Sequence, residues 1–165
     1  MRTASEGAEP PGARAGVTPA RVVEYEHVLD RVRVWAEGHP DVVAVGVVGS
    51  WARGTPRMDS DVDVVVVTTG RRDDASAIAW ACEILGDAAV GTSEWWGDLV
   101  ERRVVLPTGF EVELDFVNPS WAAVPVDAGT RRVVVDGFLA LYDPGGMLAR
   151  LRVASDDPAV RPDGG

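Results

Sequence analysis

Two valine-rich runs constrain this chain more than any other feature. Asp41–Val48 reads DVVAVGVV and Asp61–Thr68 reads DVDVVVVT, with only twelve residues between them. Each run is long enough for a buried strand and too short for a helix. Strands of this kind need helices over them. Thr18-Pro19 supplies an N-cap followed by proline at the first helical position. Val22, Tyr25, Leu29, Val32 and Trp35 then recur at helical spacing until Gly38 and Pro40. Asp73–Leu85 predicts a second helix, with Ile78, Cys82 and Leu85 facing inward. Leu99–Leu106 and Phe110–Val117 predict strands joined by the three-residue loop Pro107-Thr108-Gly109. Arg131–Val135 reads equally as strand or helix, Phe138–Tyr142 predicts a last strand, and Met147–Val153 a short closing helix. The expected class is α/β (α+β), a mixed sheet with helices packed on it.

The length of 165 residues suits one domain. Met1–Val17 is rich in Gly, Ala, Pro and Glu and reads as a disordered tail, residues 18–153 as the folded domain, and residues 154–165 as a flexible C-terminal tail. Sixteen basic residues, all arginine, face 26 acidic ones for a net charge of −10, of which −8 lies between the two tails. Without lysine there is no Schiff base. One cysteine, Cys82, excludes a disulfide within the chain, and two histidines exclude a His-rich metal site. Carboxylates are what remains for metal chemistry. An acidic domain disfavours a polynucleotide partner and favours cationic ones. The first residues carry no apolar core of a secretory signal and no run could span a bilayer, so a soluble, cytoplasmic protein without membrane contact is expected.

The chemistry concentrates in Gly49–Val67, GSWARGTPRMDSDVDVVVV. The first strand ends in Gly49-Ser50 and a helical turn closed by Gly54 begins at once, which exposes backbone N–H groups and a hydroxyl together, a cradle suited to phosphate. Asp61 and Asp63 follow at the entry of the next strand and share one face, about 6.6 Å apart along it. Two such carboxylates are costly to hold together unless a cation lies between them, and oxygen ligands of this kind select Mg²⁺ or Mn²⁺. Phe110–Val117 alternates strictly. Phe110, Val112, Leu114 and Phe116 take one face; Glu111, Glu113 and Asp115 take the other, as a solvated sheet face would also do. Beside Asp61 and Asp63, one of these acids would complete a two-metal cage able to clamp the oxygens of an in-line displacement at phosphorus.

This pattern resembles the signature of the nucleotidyltransferase superfamily that includes DNA polymerase β, aminoglycoside nucleotidyltransferases and minimal nucleotidyltransferases. Gly49, Ser50, the Ala52-Arg53-Gly54 block, Asp61 and Asp63 carry the match. The resemblance implies a nucleoside triphosphate bound with two Mg²⁺ ions, Mn²⁺ being an alternative, and transfer of a nucleotide, AMP here, to a hydroxyl with release of pyrophosphate. It implies catalytic and metal-binding roles for Asp61, Asp63 and a third acid, Glu113 or else Asp115, and nucleotide contacts for Gly49 and Ser50. Arg53 would reach the triphosphate or order the loop through Asp59 or Asp61. Trp51 would stack on the base or join the core, and Trp95 and Trp96 would wall the acceptor or cover a sheet edge. Antibiotic-modifying relatives carry a further helical domain for which this chain has no room. The acceptor, a small molecule or a protein, is therefore expected at a homodimer interface or against a second protein. An alternative reading from the same resemblance is an antitoxin acting on a small helical partner toxin.

Overall fold

The computed structural model describes residues 16–86, 89–96 and 99–157. The greater part of the expected N-terminal tail and residues 158–165 of the expected C-terminal tail lie outside them. Six strands form one sheet: β1 (Val42–Val48), β2 (Val62–Thr68), β3 (Ala89–Trp96), β4 (Leu99–Val105), β5 (Glu111–Val117) and β6 (Phe138–Tyr142), in the order β3-β4-β5-β2-β1-β6. β2 and β5 run parallel and the other neighbours antiparallel, so the sheet is mixed. Among the described residues five α-helices accompany it, α1 (Pro19–Glu37), α2 (Gly49–Arg53), α3 (Asp74–Leu85), α4 (Ala128–Asp136) and α5 (Met147–Asp156), with a 3-10 turn at Pro119–Ala122. Among the described residues, no helix is long and apolar enough to cross a membrane.

One face of the sheet is covered from end to end. Val45, Val47, Val62, Val64, Val66, Val112, Leu114 and Phe116 pack there against Val28 and Val32 of α1 and Trp80, Ala81 and Ile84 of α3. The ends of these helices follow the expected chemistry. Thr18 accepts from the Arg21 N–H ahead of Pro19, and Asp73 accepts from the Ser76 N–H at 2.8 Å. The inward stripe of α3 differs from the expected one: Ala77, Trp80, Ala81, Ile84 and Leu85 are buried, whereas Ile78 is 41% exposed and Cys82 is exposed. DASAIAWACEIL is apolar nearly all round, so periodicity alone leaves its phase open. Trp80, which packs on Phe116 with ring centroids 5.2 Å apart, sets it.

The opposite face is covered over only part of its length. Val65, Val67 and Val117, in the later halves of β2 and β5, pack under Ala122, Val134, Leu148 and Leu151. Nearer the start of the strands that face carries Asp61, just ahead of β2, Asp63 of β2, and Glu111, Glu113 and Asp115 of β5. This explains why DVDVVVVT alternates at its start and is uniformly apolar afterwards: β2 is buried on one face at first, then on both. The acids stand where the second layer of helices ends.

Candidate active site

The local sequence builds the site's central turn from three residues. Gly49 has φ +74°, which turns the chain out of β1, and Gly54, at φ +82°, ends the five-residue helix α2. A helix this short does not hold itself. Trp51 anchors it: the indole is 1% exposed, stacks on Tyr25 at 4.2 Å between centroids and meets Phe110 edge-on at 5.6 Å. Of the two roles open to Trp51, the structure gives it the core one. Ser50, one residue earlier, stays half-buried.

Register brings the acids together. Asp63 lies between Val48 of β1 and Glu113 of β5 in the pairing of the strands. One carboxylate oxygen from each of Asp61, Asp63 and Glu113 comes within 4.8 Å of the other two. A Cβ on Gly49 would stand 2.5 Å from Asp63 Oδ2, so the Gly-Ser turn and the carboxylates form one continuous surface. Burial pushes the Asp63 carboxyl up to about 7; Asp61 and Glu101 add to this, and the Arg103 guanidinium partly offsets it. Burial makes the Asp63 charge costly, and the neighbouring acids Asp61 and Glu101 add to that cost. Three hard oxygen donors converging in this way fit a divalent cation such as Mg²⁺ or Mn²⁺.

Asp115 sits one step deeper on β5, opposite Val65 of β2 and Glu101 of β4. It is also raised to about 7, by burial first and then by Glu101 and Asp63, and its Oδ1 is buried without a hydrogen-bond partner. The oxygens that converge are those of Glu113; Asp115 stands behind them.

Arg53, expected at the triphosphate or on the loop acids, is held elsewhere. Its Nη1 donates to Asp136 Oδ2 at 2.7 Å and to the Asp136 carbonyl at 2.8 Å, and its Nε to Thr55 Oγ1 at 3.0 Å. Asp59 pairs with Arg57 within its own loop at 3.1 Å, which holds its carboxyl below the usual range. The side chains of Trp95 and Trp96 lie outside the described residues. A cavity of about 980 Å³ beside α5, lined by Ala122, Val124, Met147 and Val153 among others, contains none of the three converging acids.

Sequence reasoning missed Arg103, which donates to both Glu113 and Glu111. The signal was present. A three-residue loop between Leu106 and Phe110 fixes the hairpin register, and that register sets Arg103 directly opposite Glu113.

No curated protein matches the chain in sequence. Among solved structures, it is similar to the Cid1 poly(U) polymerase bound to Mg and 3'-dATP, with 19% identity over 61% of this chain and 32% of that one, at a TM-score of 0.48. A cytoplasmic RNA terminal U-transferase matches with 17% identity, 73% and 34% coverage and a TM-score of 0.49. A toxin-antitoxin structure with AMP-PNP matches with 14% identity, 77% and 82% coverage and a TM-score of 0.46. This chain thus spans about a third of the length of the first two. The nucleotidyltransferase domain profile matches residues 32–118, from the later part of α1 to just past β5 and so across the Gly-Ser turn and the acids alike; the chain belongs to the nucleotidyltransferase domain family.

Proposed function

We propose that the chain is a Mg²⁺-dependent nucleotidyltransferase that moves AMP from ATP to a hydroxyl of a small-molecule or protein acceptor. The observation that supports this most directly is the convergence of Asp61, Asp63 and Glu113 against the Gly49 turn. In this reading the three acids hold the metal, with Asp115 behind them. The bare Cα of Gly49, whose N–H is held by the Gly137 carbonyl, lets the triphosphate approach the turn, and the Ser50 hydroxyl meets it. Arg53 serves the same turn from its far end, through Asp136. Divalent ions held there would polarise the α-phosphate and favour the ionised form of the acceptor hydroxyl. The acceptor oxygen bonds to the α-phosphorus as the bond from that phosphorus to the pyrophosphate oxygen breaks, and Glu113 takes the hydroxyl proton.

The test is calorimetry of ATP binding in Mg²⁺, in Mn²⁺ and in EDTA, followed by label transfer from each labelled nucleoside triphosphate. Binding is expected only with a divalent ion, because the carboxylates repel a bare triphosphate. Equal affinity in EDTA removes the metal-dependent reading. Preferred transfer from another triphosphate changes the base and leaves the chemistry.

A further inference from the structure

Arg103 enters the carboxylate cluster from β4. Its Nη2 donates to Glu113 Oε1, and its Nη1 donates to Glu111 Oε2 at 3.3 Å. Among the described residues it is the only basic side chain ion-paired with any of Asp61, Asp63, Glu111 and Glu113. The pair is unequal in exposure: the Glu113 side chain is 13% exposed and that of Arg103 41%. Glu113 is thus the fixed partner, and the guanidinium reaches it from wetter ground along the edge of the cluster.

A carboxylate oxygen engaged by a guanidinium N–H has committed a lone pair that a divalent cation needs. The two cations also repel each other at this range. We propose that Arg103 is the resident counter-ion of the metal centre: it holds the Glu113 carboxylate in place before a divalent cation arrives, and the arriving cation displaces it. Glu111, which is 43% exposed and outside the converging triad, keeps the displaced guanidinium at the rim. Arg103 is in this sense a positioning residue that acts through Glu113, and it sets how much free cation the site requires. The inference rests on the metal reading given above.

Two effects of opposite sign follow. Without Arg103, the cation-free protein loses compensation for its acids and melts lower; with no competitor for Glu113, the same protein binds the cation more tightly. A residue serving packing alone would give the first effect without the second. The experiment titrates Mn²⁺ into full-length wild type, Arg103→Gln and Arg103→Lys by calorimetry, with melting curves in EDTA and in Mn²⁺. Arg103→Gln is expected to bind Mn²⁺ about tenfold tighter, the scale of one close charge removed, and to gain more melting temperature from Mn²⁺ than wild type gains. Arg103→Lys keeps the charge and loses the planar fork. It should fall between the two, and it carries the test should the Gln variant fail to fold. Unchanged or weaker Mn²⁺ binding by the variants, with wild type binding normally, overturns the counter-ion role alone. Absence of Mn²⁺ binding by all three proteins removes the metal centre and this proposal with it.

Discussion

Asp63 carries the sharpest consequence at the scale of single residues. Its carboxyl is raised to about 7 from an ordinary value of 3.8, so the native state holds a proton that the unfolded chain has lost between those limits. For an acid shifted upward, the associated stability is complete below the unfolded value and disappears as pH climbs through the folded one. The cation-free protein should therefore melt at falling temperatures from about pH 4 to pH 7, with Asp115, raised for the same reason, adding to the slope. Asp63→Asn removes part of the slope and raises the melting temperature at pH 7, while lowering transfer by about two to three orders of magnitude, as loss of a charge-stabilising group does. Thermal scans across pH in EDTA check the first half, and a label-transfer assay the second. A stability that rises with pH over this interval contradicts the electrostatics of the site. Glu113 and Asp115 are separable in the same way. Glu113→Gln removes a converging oxygen and should impair transfer far more than Asp115→Asn; the reverse ranking moves the third ligand to Asp115. The sequence favours Glu113, the middle acid of its strand face, and leaves Asp115 open. FEVELDFV shows three acids on one face, and which of them meets Asp63 depends on the register of β5 against β2, two parallel strands joined by no hairpin.

Most elements with caps or turns at their ends were read correctly; β3 and the helix over Arg131–Val135 were not. Thr18-Pro19, Gly38, Gly54 and Pro107-Thr108-Gly109 act within a few residues, and the structure uses each as a cap or turn. β3 was missed: GTS interrupts its alternation, and its pairing with β4 slips between Val90 and Ser93. Arg131–Val135, with three consecutive valines, imitates a strand. Asp127 decides for helix by accepting from the Gly129 and Thr130 N–H groups, a cap that lies upstream of the ambiguous run. The turn that follows α4 also fixes the active-site helix. Gly49 N–H donates to the Gly137 carbonyl at 3.2 Å, and a Cβ on Gly137 would meet Gly49 O at 2.7 Å and Arg53 Cβ at 2.9 Å. Gly137→Ala must push α2 away from β6. It should cost about 1–3 kcal/mol, as overpacking does, and weaken nucleotide binding with the acids untouched. Asp136→Ala breaks an ion pair whose side chains are 43% and 69% exposed, so its stability cost should stay below about 1 kcal/mol. Denaturant melts with nucleotide titrations of both variants distinguish the contacts. A Gly137→Ala protein as stable as wild type would show that α2 has room the packing denies it.

At the scale of the whole molecule, charge argues for the kind of acceptor. A protein that adds nucleotides to a polynucleotide neutralises many phosphates with basic side chains gathered on one surface. This chain carries −10 and no lysine. Each of its arginine pairs has at least one member engaged by an acid or a backbone carbonyl. Arg102 and Arg103 are adjacent on β4 and point to opposite faces: Arg102 is buried on the α3 side against Asp74 at 2.9 Å, whereas Arg103 belongs to the carboxylate cluster. Arg71 is paired with Asp73, and Arg131 Nη2 donates to the Asp157 carbonyl. Around the site the acids outnumber this single arginine, with Glu101 and Glu111 beside the three that converge. On the proposed function, a cationic small molecule, or a protein surface bearing basic residues and a hydroxyl, is expected to bind where a phosphate chain is repelled. Binding of a cationic acceptor should weaken as salt rises from low to physiological strength, since the attraction is screened over about 8–10 Å; an uncharged acceptor would show no such trend. RNA and single-stranded DNA should show no binding in gel-shift assays even at low salt, where phosphate contacts are strongest. Transfer assays with a panel of aminoglycosides, with cell extract and with RNA complete the comparison. Tight, salt-sensitive RNA binding together with nucleotide addition at its 3′ end would reverse the assignment of the acceptor, because the carboxylates would then have to work beside a phosphate chain that this arrangement of arginines does not neutralise.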